Sequence, residues 1–99
     1  MVRWMRTARA MGTKVPQAIQ WAKELAEYLN TKHGAQLTVY LDIFGEYPTM
    51  RWFTDAESLA ALEQRTAPIM ADPGYWQFVA KTADLFIESS ITDTITSAI

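Results

Sequence analysis

Residues Gln36 to Phe53 form one strand-like run, broken at Gly45-Glu46-Tyr47-Pro48 and set between two stretches of helical periodicity. A Gly- and Pro-containing break of this kind reverses the chain, so two strands are predicted side by side in the middle of the sequence. Strand two, Gln36 to Phe44, alternates Leu37, Val39, Leu41 and Ile43 with Thr38, Tyr40, Asp42 and Phe44. Strand three follows at Met50-Arg51-Trp52-Phe53. A central hairpin flanked by helices leaves a short chain few plans, because each helix must connect the hairpin to an outer strand.

The flanks supply those elements. Val2 to Met11 alternates Val2, Trp4, Arg6, Ala8 and Ala10 with Arg3, Met5, Thr7, Arg9 and Met11, which predicts strand one. After Gly12-Thr13-Lys14, Pro16 suits a first helical turn, and Ala18, Ile19, Ala22, Leu25, Ala26 and Leu29 recur at helical spacing. That helix is expected to end between Asn30 and Gly34, with Gly34 as the left-handed cap and Lys32 and a solvent-facing His33 against the negative end of the dipole. Thr54-Asp55-Ala56-Glu57 matches a capping box ahead of Leu59 and Leu62, which predicts the second helix start there. Pro68 is expected to end or kink that helix, and Asp72-Pro73 to restart it with Tyr75, Trp76, Phe78 and Val79. The last strand is expected from near Leu85, with Leu85, Ile87 and Ser89 on one face. Thr and Ile in the tail Ile91 to Ile99 favour extended structure, while Ser90 to Asp93 equally suits a capped turn. The resulting β-α-β-β-α-β order is the split β-α-β plan of the α+β ferredoxin-like fold: an antiparallel sheet with helices on one face, as a single domain over residues 1–99.

Composition removes several classes of function. A formal charge of −2 without clustered Lys and Arg argues against nucleic acid as the main partner. The absence of Cys excludes disulfides, thiolate catalysis and Cys-ligated metals. The compartment is left open by this, with cytoplasmic the default, and no apolar run approaches the roughly 20 residues of a membrane span, so a soluble protein is expected. Arg3, Arg6, Arg9 and Lys14 without an acid resemble a transit peptide only faintly, because the same residues alternate as a strand.

Two helices cover one face of a four-stranded sheet, and the second face carries Met5, Met11, Tyr40, Phe44 and Phe53. Burying those residues against a second copy, sheet to sheet, predicts a homodimer. Through this element order the chain resembles the dimeric α/β-barrel superfamily, and within it the NIPSNAP-like proteins and their relatives the antibiotic-biosynthesis monooxygenases. The segments Asp42-Ile43-Phe44-Gly45, Met50-Arg51-Trp52-Phe53-Thr54-Asp55 and Asp72-Pro73-Gly74-Tyr75 carry the resemblance. It implies a homodimeric barrel of uncharacterised function and no cofactor.

Candidate chemistry is sparse. His33 is the only imidazole, and it stands beside a cap glycine with no clustered ligand, so no metal site is expected. The resemblance brings in haem-degrading members, which place an axial His in the second helical region; this chain has none there. Arg9, Asp42, Arg51 and Glu88 are strand charges, expected to pair between facing sheets or to anchor a ligand. Tyr40, Trp52, Tyr75, Trp76 and Phe78 are core residues or the lining of a pocket between sheet and helices. Trp4 and Trp21 read as structural. Tyr40, Asp42, Arg51 and Trp52 are the ligand-binding candidates, expected to border one shared cavity. They suit a small apolar or aromatic ligand, or an interaction unit without chemistry. The alternative is cofactor-independent oxygenation of an aromatic substrate, as the monooxygenase resemblance allows, with Asp42 or Glu88 as the base.

Overall fold

The computed structural model describes residues 1–99. Strand β1 (Val2–Arg9) leads through a 3₁₀ turn into helix α1 (Val15–His33), and β2 (Thr38–Leu41) and β3 (Thr49–Ala56) form the central hairpin. Helices α2 (Leu59–Met70) and α3 (Pro73–Val79) follow, and β4 (Thr92–Ser97) closes the sheet. The strand order is β2-β3-β1-β4, antiparallel throughout, which is the ferredoxin-like α+β arrangement with helices on one face.

The core lies between that face and the helices. Met50, Trp52, Thr54 and Ala56 alternate inward along β3, and Ala8 and Ala10 do so on and just beyond β1. The alanines bring α1 close, and its buried stripe of Ala18, Trp21, Ala22, Leu25 and Leu29 packs on them. Gly34 (φ 61°) closes α1 in the left-handed conformation, its N–H on the Asn30 carbonyl. The Asn30 side chain then donates to the Leu37 carbonyl (3.0 Å) and accepts from the Leu37 N–H (2.7 Å), setting Leu37 under the helices.

Four expectations are corrected. Strand β3 continues to Ala56, so Thr54 caps nothing: its buried hydroxyl donates to the Ala35 carbonyl (2.8 Å) and accepts from Arg65 (2.8 Å). Ser58 is the N-cap of α2, accepting from the Ala61 N–H. Helix α2 does not end at Pro68 but runs through it to Met70, because Pro68 and Gln64 are exposed and water can take up the Gln64 carbonyl that the proline leaves free. Finally, the segment near Leu85 touches β1 through one bridge, Ala10 to Phe86, and is then interrupted. The Ser90 hydroxyl takes the Arg9 N–H (2.8 Å) that a continuing ladder needs, the chain makes a 3₁₀ turn at Glu88–Ser90, and the strand proper is the tail. Glu88 accordingly lies in an exposed turn, outside any strand.

The second sheet face is more polar than simple alternation suggests. Met5, Phe53 and Tyr40 form an apolar strip, with the Arg3 guanidinium 4.3 Å over the Phe53 ring. Arg3–Asp55 and Arg51–Asp42 are bidentate ion pairs within the one sheet, so Arg51 and Asp42, expected to pair between facing sheets or to anchor a ligand, pair with each other. Phe44 projects from the hairpin loop and is 91% exposed.

Candidate functional site

A cavity of about 100 Å³ lies inside the core, between the helix face of the sheet and helices α1 and α3. Its floor is Ala8 of β1 and Trp52 of β3, and its sides are Trp21 and Leu25 of α1 and Val79 of α3. Phe86 and Ile91, at either side of the break before β4, close one end. Trp4, Arg6, Leu37 and Tyr75 form the other. No carboxylate lines it.

Three aromatic rings of this lining meet edge to face. The Trp21 and Trp52 centroids are 6.0 Å apart, Trp21 and Phe86 5.4 Å, and Trp52 and Phe86 5.6 Å. Such edge contacts hold the rings in fixed directions. The Trp21 Nε1–H donates to the Phe78 carbonyl at 3.0 Å. The Trp52 Nε1–H has no hydrogen-bond partner although the residue is only 4% exposed. Buried donors are almost always paired, which makes this orphan on a cavity-lining residue an exception.

The polar end is built around Arg6, whose inward direction follows from the alternation of β1. Its Nε and Nη2 donate to both carboxylate oxygens of Asp93 on the neighbouring strand β4 (2.7 and 2.8 Å), and Nη1 reaches the Tyr75 hydroxyl at a long 3.4 Å. Register sets this up, since Arg6 and Asp93 are directly opposite in the ladder. The Asp93 hydrogen bonds raise the Arg6 pKa further above the usual guanidinium range against the opposing effect of burial, and in return hold the Asp93 carboxyl below its ordinary value.

The four sequence candidates do not share this cavity. Trp52 lines it, whereas Tyr40, Asp42 and Arg51 lie together on the other face of the sheet. Alternation along β3 is the reason: Arg51 and Trp52 are neighbours in sequence and therefore face opposite ways. Tyr40 is 62% exposed there, and the Arg51 hydrogen bonds lower the Asp42 pKa. Of the other aromatics considered, Tyr75 joins the cavity, Phe78 packs on Tyr28 outside it, and Trp76 is exposed. Trp4 and Trp21 were read as structural yet both line it. Arg6 was missed as well, though a charge among Val2, Trp4, Ala8 and Ala10 was the available signal.

His33 is not solvent-facing. Its Nε2 is 2.8 Å from the buried Asp72 carboxylate, which also accepts from the Tyr28 hydroxyl (2.6 Å), Lys32 (3.1 Å) and the Gly74 N–H (2.9 Å). No three His, Asp or Glu side chains are placed to hold a metal ion. No helix is long and apolar enough to cross a membrane.

No protein-family model matches the chain, and no curated protein matches it in sequence. Solved structures do match in fold along the whole length. An uncharacterised NIPSNAP domain protein from Burkholderia xenovorans superposes with a TM-score of 0.82 at 16% identity, over 100% of this chain and 95% of its own. A NIPSNAP family protein of unknown function from Agrobacterium tumefaciens gives 0.80 at 21% identity, over 99% and 87%. A putative antibiotic biosynthesis monooxygenase from Deinococcus radiodurans is more distant, at 0.73 and 18% identity over 100% and 93%. The chain has the α+β fold shared by NIPSNAP proteins and, less closely, by proteins of the monooxygenase type.

Proposed function

We propose that the protein is a homodimeric module that binds a small, mostly apolar ligand in the cavity between sheet and helices, with Trp52 as the donor to a ligand oxygen. The observation that carries this reading is the orphan Nε1–H of Trp52, a residue that lines the cavity. Size limits the ligand. An enclosed cavity of about 150 Å³ holds benzene, and this one is smaller but partly open, so a single six-membered ring that protrudes from it is the upper limit and a polycyclic aromatic does not fit. Oxygenation of an aromatic fits less well, because no carboxylate borders the cavity to act as base, and Asp42 lies across the sheet in an ion pair.

Association is supported by the uncovered sheet face, where Met5, Phe53 and the largely exposed Tyr40 form a strip that no helix of this chain covers. A second copy related by a two-fold axis would bury that strip and leave the flanking ion pairs at the rim.

Both parts are open to test. Titration of the tryptophan fluorescence with cyclohexanone is expected to saturate, and Ala8→Leu, which fills the floor of the cavity, to abolish the response. Sedimentation velocity is expected to give a dimer at micromolar concentration that Phe53→Glu splits. A response unchanged in Ala8→Leu would remove the cavity reading, and a monomer throughout the concentration range would remove the dimer.

A further inference from the structure

A second hollow lies on the same side of the sheet, under helix α2. Leu59, Leu62, Thr66 and Met70 of α2 form its roof, Ile95 of β4 its outer wall, and its volume is about 240 Å³. It exists because neither α1 nor α2 reaches over β4: every residue of that strand is exposed, and Ile95, which shares the inward face with Asp93, remains 54% exposed. The inner cavity and this groove share four lining residues, Trp4, Arg6, Leu37 and Tyr75. The two spaces therefore meet at the Arg6–Tyr75 contact.

That contact is the weakest element of the partition. At 3.4 Å the Nη1 to Tyr75 hydrogen bond is long, whereas the two bonds to Asp93 are short and bidentate. Arg6 also has donors to spare. A guanidinium carries five N–H groups, and those on Asp93 and Tyr75 leave one hydrogen on each Nη. Asp93 already neutralises the guanidinium, so what Arg6 offers a ligand here is hydrogen-bond donation without net positive charge. A neutral carbonyl oxygen satisfies it; a carboxylate would in addition be repelled by Asp93.

Resting on the binding role proposed above, we infer that the ligand is an elongated neutral carbonyl compound, a ketone, ester or amide, that occupies both spaces. One compact end, which carries the oxygen that the Trp52 N–H meets, lies in the inner cavity, a carbonyl replaces the long Arg6–Tyr75 hydrogen bond, and an apolar chain runs under α2. Volume supports the joint site. Pockets for drug-sized molecules begin near about 300 Å³, a size neither space has alone and both together just reach.

The test compares four probes on the full chain by tryptophan fluorescence: cyclohexanone, methyl octyl ketone, decane and decanoate. Methyl octyl ketone is expected to bind roughly tenfold more tightly than decane, the margin of one hydrogen bond to a charged donor, and more tightly than decanoate. Thr66→Phe and Ile95→Phe, which fill the groove without touching the inner cavity, are expected to weaken methyl octyl ketone roughly tenfold and to leave cyclohexanone unchanged. The double variant Arg6→Met, Asp93→Leu removes the guanidinium donors and the carboxylate together, and is expected to erase the preference for ketone over decane. Cyclohexanone binding with no gain from the added chain, or with no effect of either groove variant, overturns the joint site and leaves the inner cavity standing. Decanoate binding as tightly as the ketone overturns the neutral carbonyl. Failure of every probe overturns both this inference and the binding role beneath it.

Discussion

The His33 imidazole donates from Nε2 to Asp72 Oδ2 at 2.8 Å, joining the last turn of α1 to the residue that caps α3. An ionised carboxylate only accepts, which fixes the proton on Nε2. Tyr28, Lys32 and the Gly74 N–H converge on the same group, so a buried anion meets four donors and is fully partnered. The contact ties together α1 and α3, both of which supply residues to the cavity lining.

The acid stability of the protein follows from this cluster. The Tyr28 hydroxyl foremost, then His33, hold the Asp72 carboxyl far below the usual carboxylate range, against the opposing effect of burial. A carboxyl whose folded pKa lies below its unfolded value of about 3.9 stabilises the fold above that value, and its contribution is lost as the pH falls through it toward the folded pKa. Asp72→Asn is expected to melt earlier than the parent at pH near 7, and to show a shallower fall in melting temperature between about pH 5 and pH 2. Parallel curves for the two proteins would show that Asp72 is not the group that titrates.

Gly74 makes the cluster possible. A Cβ there would overlap the Tyr28 hydroxyl, the group that donates to Asp72. Gly74→Ala is therefore expected to cost about 1–3 kcal/mol, the usual range for overpacking, in urea unfolding. In a Tyr28→Phe background the cost should be smaller, because the overlapping oxygen is gone and its hydrogen bond is already lost. Strict additivity of the two changes would contradict the overlap.

Thr54 and Ser58 offer a direct check on where α2 begins. Ser58→Ala removes the side-chain cap and is expected to cost about 1 kcal/mol. Thr54→Val leaves the buried Ala35 carbonyl without its donor and is expected to cost about 2 kcal/mol. Were the capping box at Thr54 in use, Ser58→Ala would be silent in the same measurement.

The errors at Thr54 and Leu85 have a common physical origin. Element order was legible because alternation and helical spacing persist over many residues, as in Leu37 to Ile43 or Ala18 to Leu29. Boundaries were not. Thr-x-x-Glu is a short local signal, and it was overridden by tertiary demand for Thr54 inside the sheet, where Ala35 and Arg65 use its hydroxyl. The β4 register depended on Ser90 intercepting the Arg9 N–H, a contact between residues far apart in sequence. The same limit explains the site. Alternation alone places Trp52 and Arg51 on opposite faces, so the grouping of Tyr40, Asp42, Arg51 and Trp52 could have been rejected from the sequence. The partners of Arg6 could not, since the last strand was expected from near Leu85 and Asp93 equally suited an extended tail or a capped turn.

Trp52 separates packing from binding. Trp52→Phe removes an indole N–H that has no partner, which relieves a penalty of about 1–3 kcal/mol, and removes ring atoms whose loss enlarges the cavity at a comparable cost. These effects oppose one another, so the variant is expected to unfold within about 1 kcal/mol of the parent. Binding has no such compensation. If the N–H is the donor to a ligand oxygen, cyclohexanone affinity should fall roughly tenfold in Trp52→Phe while unfolding hardly changes. Trp21→Phe provides the contrast: its Nε1–H is spent on the Phe78 carbonyl, which the Lys81 N–H also reaches, so the change removes a formed hydrogen bond without stranding the acceptor and should destabilise the fold by about 1 kcal/mol on that account. Equal affinity in the Trp52→Phe protein and its parent would mean that the orphan donor serves no ligand.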